Sequence, residues 1–316
     1  MCQCRKLKER RPEPVFFFNR KSRCTVPGDI LFGIFSKQIC YIPLINGQIS
    51  VIFCLNSIDF NVKRCIYMEN LTGVDCVGEY FSFELHDFAC DGCPCKIVVP
   101  PEPLPGKPWV WKAEFFTAFP AFELEMVKRG FYLAFMSVGN TFGCPAAIDH
   151  FDKFYDQMTT WGFSSRPIML GLSRGGLYIY NFAVRNPEKV ACLYADNPVC
   201  DFKSWPAGRG NGEKSQSNWE KLIRDYKFSS EQEALEYTGN PIDNLEILAK
   251  HNIPLIHAAR TEDKVVPIAE NTDIVEKRYT ALGGSIKVFR HPGGHHPHGL
   301  DDPTPLIDYL LQTVRY

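Results

Sequence analysis

The sequence predicts an α/β protein in which a mainly parallel β-sheet is covered by helices on both faces. Three observations carry that expectation. From about residue 100 onward, short apolar segments alternate with longer amphipathic ones. The apolar segments, such as "PIML" and "VACLYA", run without polar alternation, as strands buried on both faces do. No internal repeat or low-complexity tract competes with the pattern.

The elements follow in order. "YFSFELHDF" and "CKIVVP" read as two early strands, with Asp91-Gly92 punctuating the link between them. "PWVWKAEFF" precedes the helical "AFELEMVKRG", and "FYLAFMSV" precedes "AAIDHFDKFYDQMTTWG". "PIMLGLS" leads into "GGLYIYNFAVRNPEK", where Asn186-Pro187 stops the helix because proline cannot continue the backbone ladder. After "VACLYADNP" comes a polar insertion, about 200–250, with Gly-rich "PAGRGNGEKSQS" and two short helix candidates, "NWEKLIRDYKF" and "SEQEALEYTG". "IPLIHAAR" then precedes "AENTDIVEKRYTALGG", and "SIKVFRH" precedes "TPLIDYLLQTV".

Composition narrows the function classes. The chain has 316 residues, 45% of them hydrophobic, enough for a substantial core. A formal net charge of -1 leaves no positive excess to track a phosphate backbone, so no nucleic-acid partner is expected. The apolar run at 39–55 is broken by Pro43, Asn46, Gly47 and Gln48, and Asn46-Gly47 reads as a hairpin turn rather than part of a membrane span. The N-terminus lacks the order of features a secretory signal needs, so a cytoplasmic location without membrane attachment is expected. Residues 1–67 are rich in Arg, Lys, Phe and Cys and lack the later alternation; they read as a poorly ordered extension outside the core, with the functional domain at 68–316.

The cysteines number 13, an odd total that argues against a disulfide framework, and ten of them precede residue 96. Cys90, Cys93 and Cys95 in "CDGCPC" have no second knuckle at compatible spacing, since Cys2 and Cys4 do not supply one. Neither a metal nor a cofactor is expected.

One segment points to covalent chemistry. Ser173 lies in Gly171-Leu172-Ser173-Arg174-Gly175, a G-x-S-x-G pattern between a buried strand and a helix. That junction makes a nucleophile elbow: small flanking residues permit a tight turn, and free N–H groups at the helix start suit a developing oxyanion. A serine nucleophile needs a base, and the base needs an orienting carboxylate. Glu262 and Asp263 sit in the polar loop after "IPLIHAAR", and Asp196 ends "VACLYAD". Four of the eight histidines, His291, His295, His296 and His298, lie in "VFRHPGGHHPHGLDDP" after the last strand. Each group follows a strand.

From about residue 68 to 316 the chain resembles the α/β-hydrolase superfamily, and more narrowly a serine esterase-like group. "GKPWVWKAEFF", "GLSRGGLYIYNFA", "ADNPVCDFKSWP", "DKVVP" and "GGHHPHGL" carry the likeness. The resemblance implies a sheet of about eight strands with a lid-like insertion, and a triad in the order Ser, acid, His. It implies Ser173 as nucleophile, Asp263 as the acid ahead of Val266-Pro267, and His295 after Gly293-Gly294 as the base. His296, and behind it His298, stay open as bases, as do Glu262 and Asp196 as acids. The Arg174 N–H is implied as one oxyanion-hole donor and the loop near Lys112 and Ala113 as the second, although no His-Gly-Gly is present.

Around the serine, Arg174 suits an anionic group or sugar hydroxyl, or a salt bridge within the site, with Glu114 a candidate contact. Trp111, Phe115, Phe116 and Trp205 are candidates for a substrate pocket or for packing. The function expected is a carboxylesterase acting on small acyl esters or acylated carbohydrates. Open beside it are a peptidase or thioesterase with the same triad, and a non-catalytic small-molecule-binding scaffold of the same fold.

Overall fold

The computed structural model describes residues 74–316. The expectations for residues 1–67, including the Asn46-Gly47 hairpin, lie outside the described residues. Among the described residues nine strands form one sheet: β1 (Val74–Tyr80), β2 (Phe83–Cys90), β3 (Cys93–Val99), β4 (Trp109–Lys112), β5 (Tyr132–Met136), β6 (Ile168–Leu172), β7 (Cys192–Asp196), β8 (Leu255–Arg260) and β9 (Ile286–His291). Their spatial order is β1-β2-β3-β5-β4-β6-β7-β8-β9. The first three strands form an antiparallel meander that joins β5 antiparallel, and all pairings from β5 to β9 are parallel.

The ninth strand comes from "YFSFELHDF", which reads as one strand and folds as parts of two. Phe81 and Ser82 take φ of 47° and 72°, a two-residue turn between the paired Tyr80 and Phe83. Neither residue announces such a turn, since positive φ is chiefly the province of Gly and Asn. The next hairpin does announce itself: Asp91 and Gly92, at φ 50° and 76°, link the paired Cys90 and Cys93.

Helices α1 (Ala121–Lys128), α2 (Pro145–Thr160) and α3 (Gly175–Arg185) follow β4, β5 and β6. After β7 come α4 (Gln216–Asp225), α5 (Glu231–Glu236) and α6 (Leu245–Lys250), and α7 (Thr272–Ala281) and α8 (Thr304–Thr313) follow β8 and β9. The period of two in β4 divides the core. Trp109 and Trp111 face α2 and α3, while Val110 faces α1 and α8 with Leu133, Ile168 and Leu170.

Trp111 is therefore a core residue. It is fully buried, stacked 5.3 Å from Trp109 and wedged against Phe151, Phe154 and Phe182. Phe116 likewise packs against Tyr80 and Phe135. Both aromatics are buried in packing contacts, Trp111 on β4 between two helical layers and Phe116 in the loop that follows it.

The insertion builds a core of its own. Phe202, Trp219, Leu222 and Ala234 gather around Phe142, Leu177 and Val266 from the main domain. The Ser230 hydroxyl accepts the Glu233 N–H and so caps α5. Helix α6, beyond the two helices foreseen here, anchors the end of the insertion through Leu245 and Leu248 in the main core. Its six residues carry too short a period to stand out in sequence. No helix among the described residues is long and apolar enough to cross a membrane.

Candidate active site

Ser173 stands between β6 and α3 at φ 51°, a left-handed conformation that a serine adopts only under constraint. The constraint is visible. Its N–H donates to Asp196 O at 2.9 Å, and its carbonyl accepts from Gly176 N at 3.0 Å and Val199 N at 2.9 Å. Two glycines permit the turn. A Cβ at Gly171 would lie 2.5 Å from Gly175 O, and one at Gly176 would lie 2.7 Å from Val199 O. Gly175, the last glycine of the motif, has only Glu114 Cβ near it, at 4.0 Å, so the steric demand falls one residue later than the motif suggests.

The hydroxyl meets its base. Ser173 Oγ lies 2.9 Å from His295 Nε2, and His295 Nδ1 lies 2.6 Å from Asp263 Oδ2. The other carboxylate oxygen, Oδ1, accepts the Val265 and Val266 N–H groups, both at 2.9 Å. A carboxylate so held keeps its orientation, and the Nδ1–H tautomer that Asp263 can accept from turns the Nε2 lone pair toward the serine. Asp263 and His295 are both buried, at 6% and 8% exposure. Such burial strengthens the pair electrostatically.

The structure also separates the alternatives. Asp196 does not reach His295. Its Oδ1 lies 2.6 Å from His298 Nδ1, and its Oδ2 accepts Gly299 N–H at 2.9 Å and Tyr194 O–H at 3.3 Å. Glu262 is exposed, and its N–H donates to Gly293 O at 3.1 Å while the side chain stays outside the triad. His296 is exposed with its ring stacked 5.7 Å from Phe119, and His298 is committed to Asp196. His291 ends β9 at its pairing with Arg260.

The loop after β4 corrects one part of the site. Ala113 N–H donates to Leu170 O at 2.9 Å, so the ladder consumes this amide. Lys112 is itself a ladder residue, registered with Phe135 and Leu170. Its fully buried ammonium donates to Glu123 and, at 2.6 Å, to Ala118 O, which ties the 113–120 loop to α1. Sequence reasoning did not foresee this ion pair, because nothing local marks a lysine for burial. Neither residue has an amide left to serve as an oxyanion donor.

The next residues cross the gap. Glu114 accepts from Arg174 Nε at 2.6 Å, joining the loop after β4 to the residue after the nucleophile. Burial pushes the Glu114 carboxyl above its ordinary range, against the pull of the Arg174 guanidinium and the Tyr178 hydroxyl. The guanidinium carbon lies 5.0 Å from the Phe115 ring and 5.7 Å from Phe142. Trp205, partly buried, meets Phe142 at 6.3 Å and so borders this cluster from the insertion side. β4 and β6 are adjacent in space but separated by β5 in sequence, and ligand crevices of open α/β sheets form at such a reversal of strand order.

One positioning residue escaped the sequence altogether. Asn197, at φ 42°, donates from Nδ2 to His295 O at 3.1 Å and accepts Arg260 N–H on Oδ1 at 2.8 Å. Its signal is weak: an Asn before Pro at a strand end reads as an ordinary turn residue.

These features define an α/β-hydrolase fold with a Ser–His–Asp constellation at the C-terminal edge of its parallel strands. No protein-family model matches the chain, and no curated protein matches it by sequence. Solved structures match it by fold. Dipeptidyl peptidase 4 from Porphyromonas gingivalis superposes with a TM-score of 0.53 at 13% identity, covering 73% of this chain and 35% of that one. A puromycin-hydrolyzing peptidase from Mycobacterium tuberculosis gives 0.51 at 12% identity, over 75% of this chain and 37% of that one. A 2,6-dihydroxy-pseudo-oxynicotine hydrolase gives 0.54 at 18% identity, over 73% and 68%. The chain thus spans about a third of the two peptidases. At these identities the likeness is one of fold, and it does not single out the esterase-like group.

Proposed function

We propose that this protein is a serine hydrolase that cleaves carboxylic esters through an acyl-enzyme. The observation that carries the reading is the unbroken chain from Ser173 Oγ through His295 to Asp263, at 2.9 and 2.6 Å. In this reading Ser173 Oγ attacks the ester carbonyl as its proton passes to His295 Nε2. Asp263 holds the resulting imidazolium, which then protonates the departing alkoxide. Water, deprotonated by the same imidazole, attacks the acyl-serine and releases the acid.

The developing oxyanion takes the Arg174 N–H, one of the orphan amides of the α3 start. Phe115 supplies the second N–H in place of Lys112 and Ala113. It is two residues past the last ladder amide, at φ 54°, and it sits under the Arg174 side chain. The acyl-transfer machinery does not specify the leaving group, so esters, thioesters and peptides form the substrate panel.

The test is labelling with a fluorophosphonate probe, comparing wild type with Ser173→Ala, followed by p-nitrophenyl acetate turnover. Labelling that disappears in the variant supports the reading. A folded wild type that neither labels nor turns over would establish a binding scaffold instead.

A further inference from the structure

The triad uses one of three histidines that lie ring against ring. His295, His296 and His298 have ring centroids 4.8, 4.9 and 5.0 Å apart, and one ligand nitrogen from each lies within 4.8 Å of the others. We propose that these three side chains form a binding site for a divalent transition-metal ion of the zinc type, and that its occupation switches off Ser173. The binding half of the proposal stands by itself; the switching half rests on the hydrolase reading above.

Spacing is the first argument. Three imidazoles on a tetrahedral ion, at metal–nitrogen distances of about 2.0–2.1 Å, place their ring centroids about 5 Å apart. The rings already have that separation. Convergence requires the ligand nitrogens to close to about 3.4 Å, the edge of such a tetrahedron. His296, exposed, has the freedom to turn inward.

The second argument is orientation. His295 and His298 each place Nδ1 2.6 Å from a carboxylate, Asp263 and Asp196. A carboxylate on Nδ1 is the support that metal-binding histidines ordinarily have, since it fixes the tautomer and strengthens Nε2 as a ligand. For His295 the triad explains this support. For His298 the triad does not, yet Asp196 is itself fixed by Gly299 N–H and Tyr194 O–H, and its bond to Nδ1 leaves Nε2 on the far edge of the ring. A nearly buried imidazole, oriented by a fixed carboxylate and without a part in the triad, is the feature that the metal site accounts for.

Inhibition follows from where the ion must sit. His295 Nε2 faces Ser173 Oγ at 2.9 Å. An ion on that nitrogen occupies the lone pair that would receive the serine proton, and Ser173 Oγ or water completes the fourth position. The serine is then left without a base.

The experiment uses Zn²⁺ and Co²⁺ on the full chain and on His296→Ala, which removes one ligand outside the triad. Wild type should bind Zn²⁺ by calorimetry, give the intense visible bands of tetrahedral Co²⁺, and lose p-nitrophenyl acetate turnover and fluorophosphonate labelling until EDTA restores both. The variant should label normally without metal and need at least about tenfold more Zn²⁺ for the same inhibition, with weakened Co²⁺ bands. Inhibition unchanged in His296→Ala, or no Zn²⁺ binding to wild type at millimolar concentration, would overturn the proposal. Because calorimetry and the Co²⁺ spectrum need no turnover, an inactive protein that binds both ions would sink the hydrolase reading and leave the metal site standing.

Discussion

Asn197 grips the catalytic loop by its backbone: its Nδ2 donates to His295 O at 3.1 Å while its Oδ1 accepts Arg260 N–H at 2.8 Å. One side chain thereby couples the end of β7 to β8 and to the base. Asn197→Ala should lower kcat by about 10- to 100-fold with little change in KM, since a small displacement of the base harms the reaction more than binding. The pH at which the acidic limb of the rate profile falls should move as well. Steady-state kinetics across pH check this, and a change in KM alone would contradict it.

Two Asp–His pairs lie side by side, and they should behave differently on mutation. Asp263→Asn should reduce kcat on the order of 10⁴-fold, because the imidazole loses the partner that sets its tautomer. Asp196→Asn leaves the His295 pair untouched and should preserve most of the rate. Equal losses in the two variants would show that the triad drawn here is wrong.

The Glu114–Arg174 pair is mostly buried, with side-chain exposures of 8% and 16%. Removing the cation alone strands a buried carboxylate, so Arg174→Met should destabilise by about 3 kcal/mol, less whatever protonation of Glu114 relieves. The double variant Glu114→Gln, Arg174→Met should recover part of that loss. Urea unfolding of the set at pH 7 measures both, and additive effects would deny the coupling.

His257 supplies a pH prediction. It is fully buried on β8, between Tyr180 Oη at 2.8 Å and Thr272 Oγ1 at 3.0 Å. Desolvation drives its pKa down to about 3 despite the nearby Asp196 carboxylate, with Arg290 adding to the shift. A histidine whose folded pKa is depressed stabilises fully above its unfolded value of about 6.5 and loses that contribution as pH falls toward the folded value. The urea midpoint of wild type should therefore fall between about pH 6.5 and 4, and His257→Gln should flatten that slope. An unchanged slope would remove His257 as its cause.

Trp111 and Trp205 should separate structure from site. Trp111→Ala opens the middle of the main core and should cost about 3–5 kcal/mol in urea unfolding. Trp205→Ala, at the border of the Arg174 cluster, should shift KM across a panel of acyl chain lengths more than it shifts stability. A Trp111 variant as stable as wild type would contradict its place in the core.

Much of this protein was legible in its sequence alone. The alternation of strands and helices, the elbow at Ser173, and the placing of acid and base candidates after later strands depend on periodicity and turn chemistry, which act over a few residues. Even there, Phe81-Ser82 hid a hairpin, because its positive φ values are imposed by the pairing of β1 with β2 and not by its residue types. The family resemblance favoured Asp263 and His295 while leaving Asp196, Glu262, His296 and His298 open, and only the tertiary structure showed which partner each group takes. Asp263 and His295 are 32 residues apart, while Asp196 and His298 are 102 apart, and no local pattern distinguishes these pairings from the crossed ones. The burial of Trp111, the spending of the Ala113 amide on Leu170 and the grip of Asn197 on His295 were settled the same way. Each depends on which strand lies beside which, and strand adjacency is a property of the packed sheet that no single segment contains.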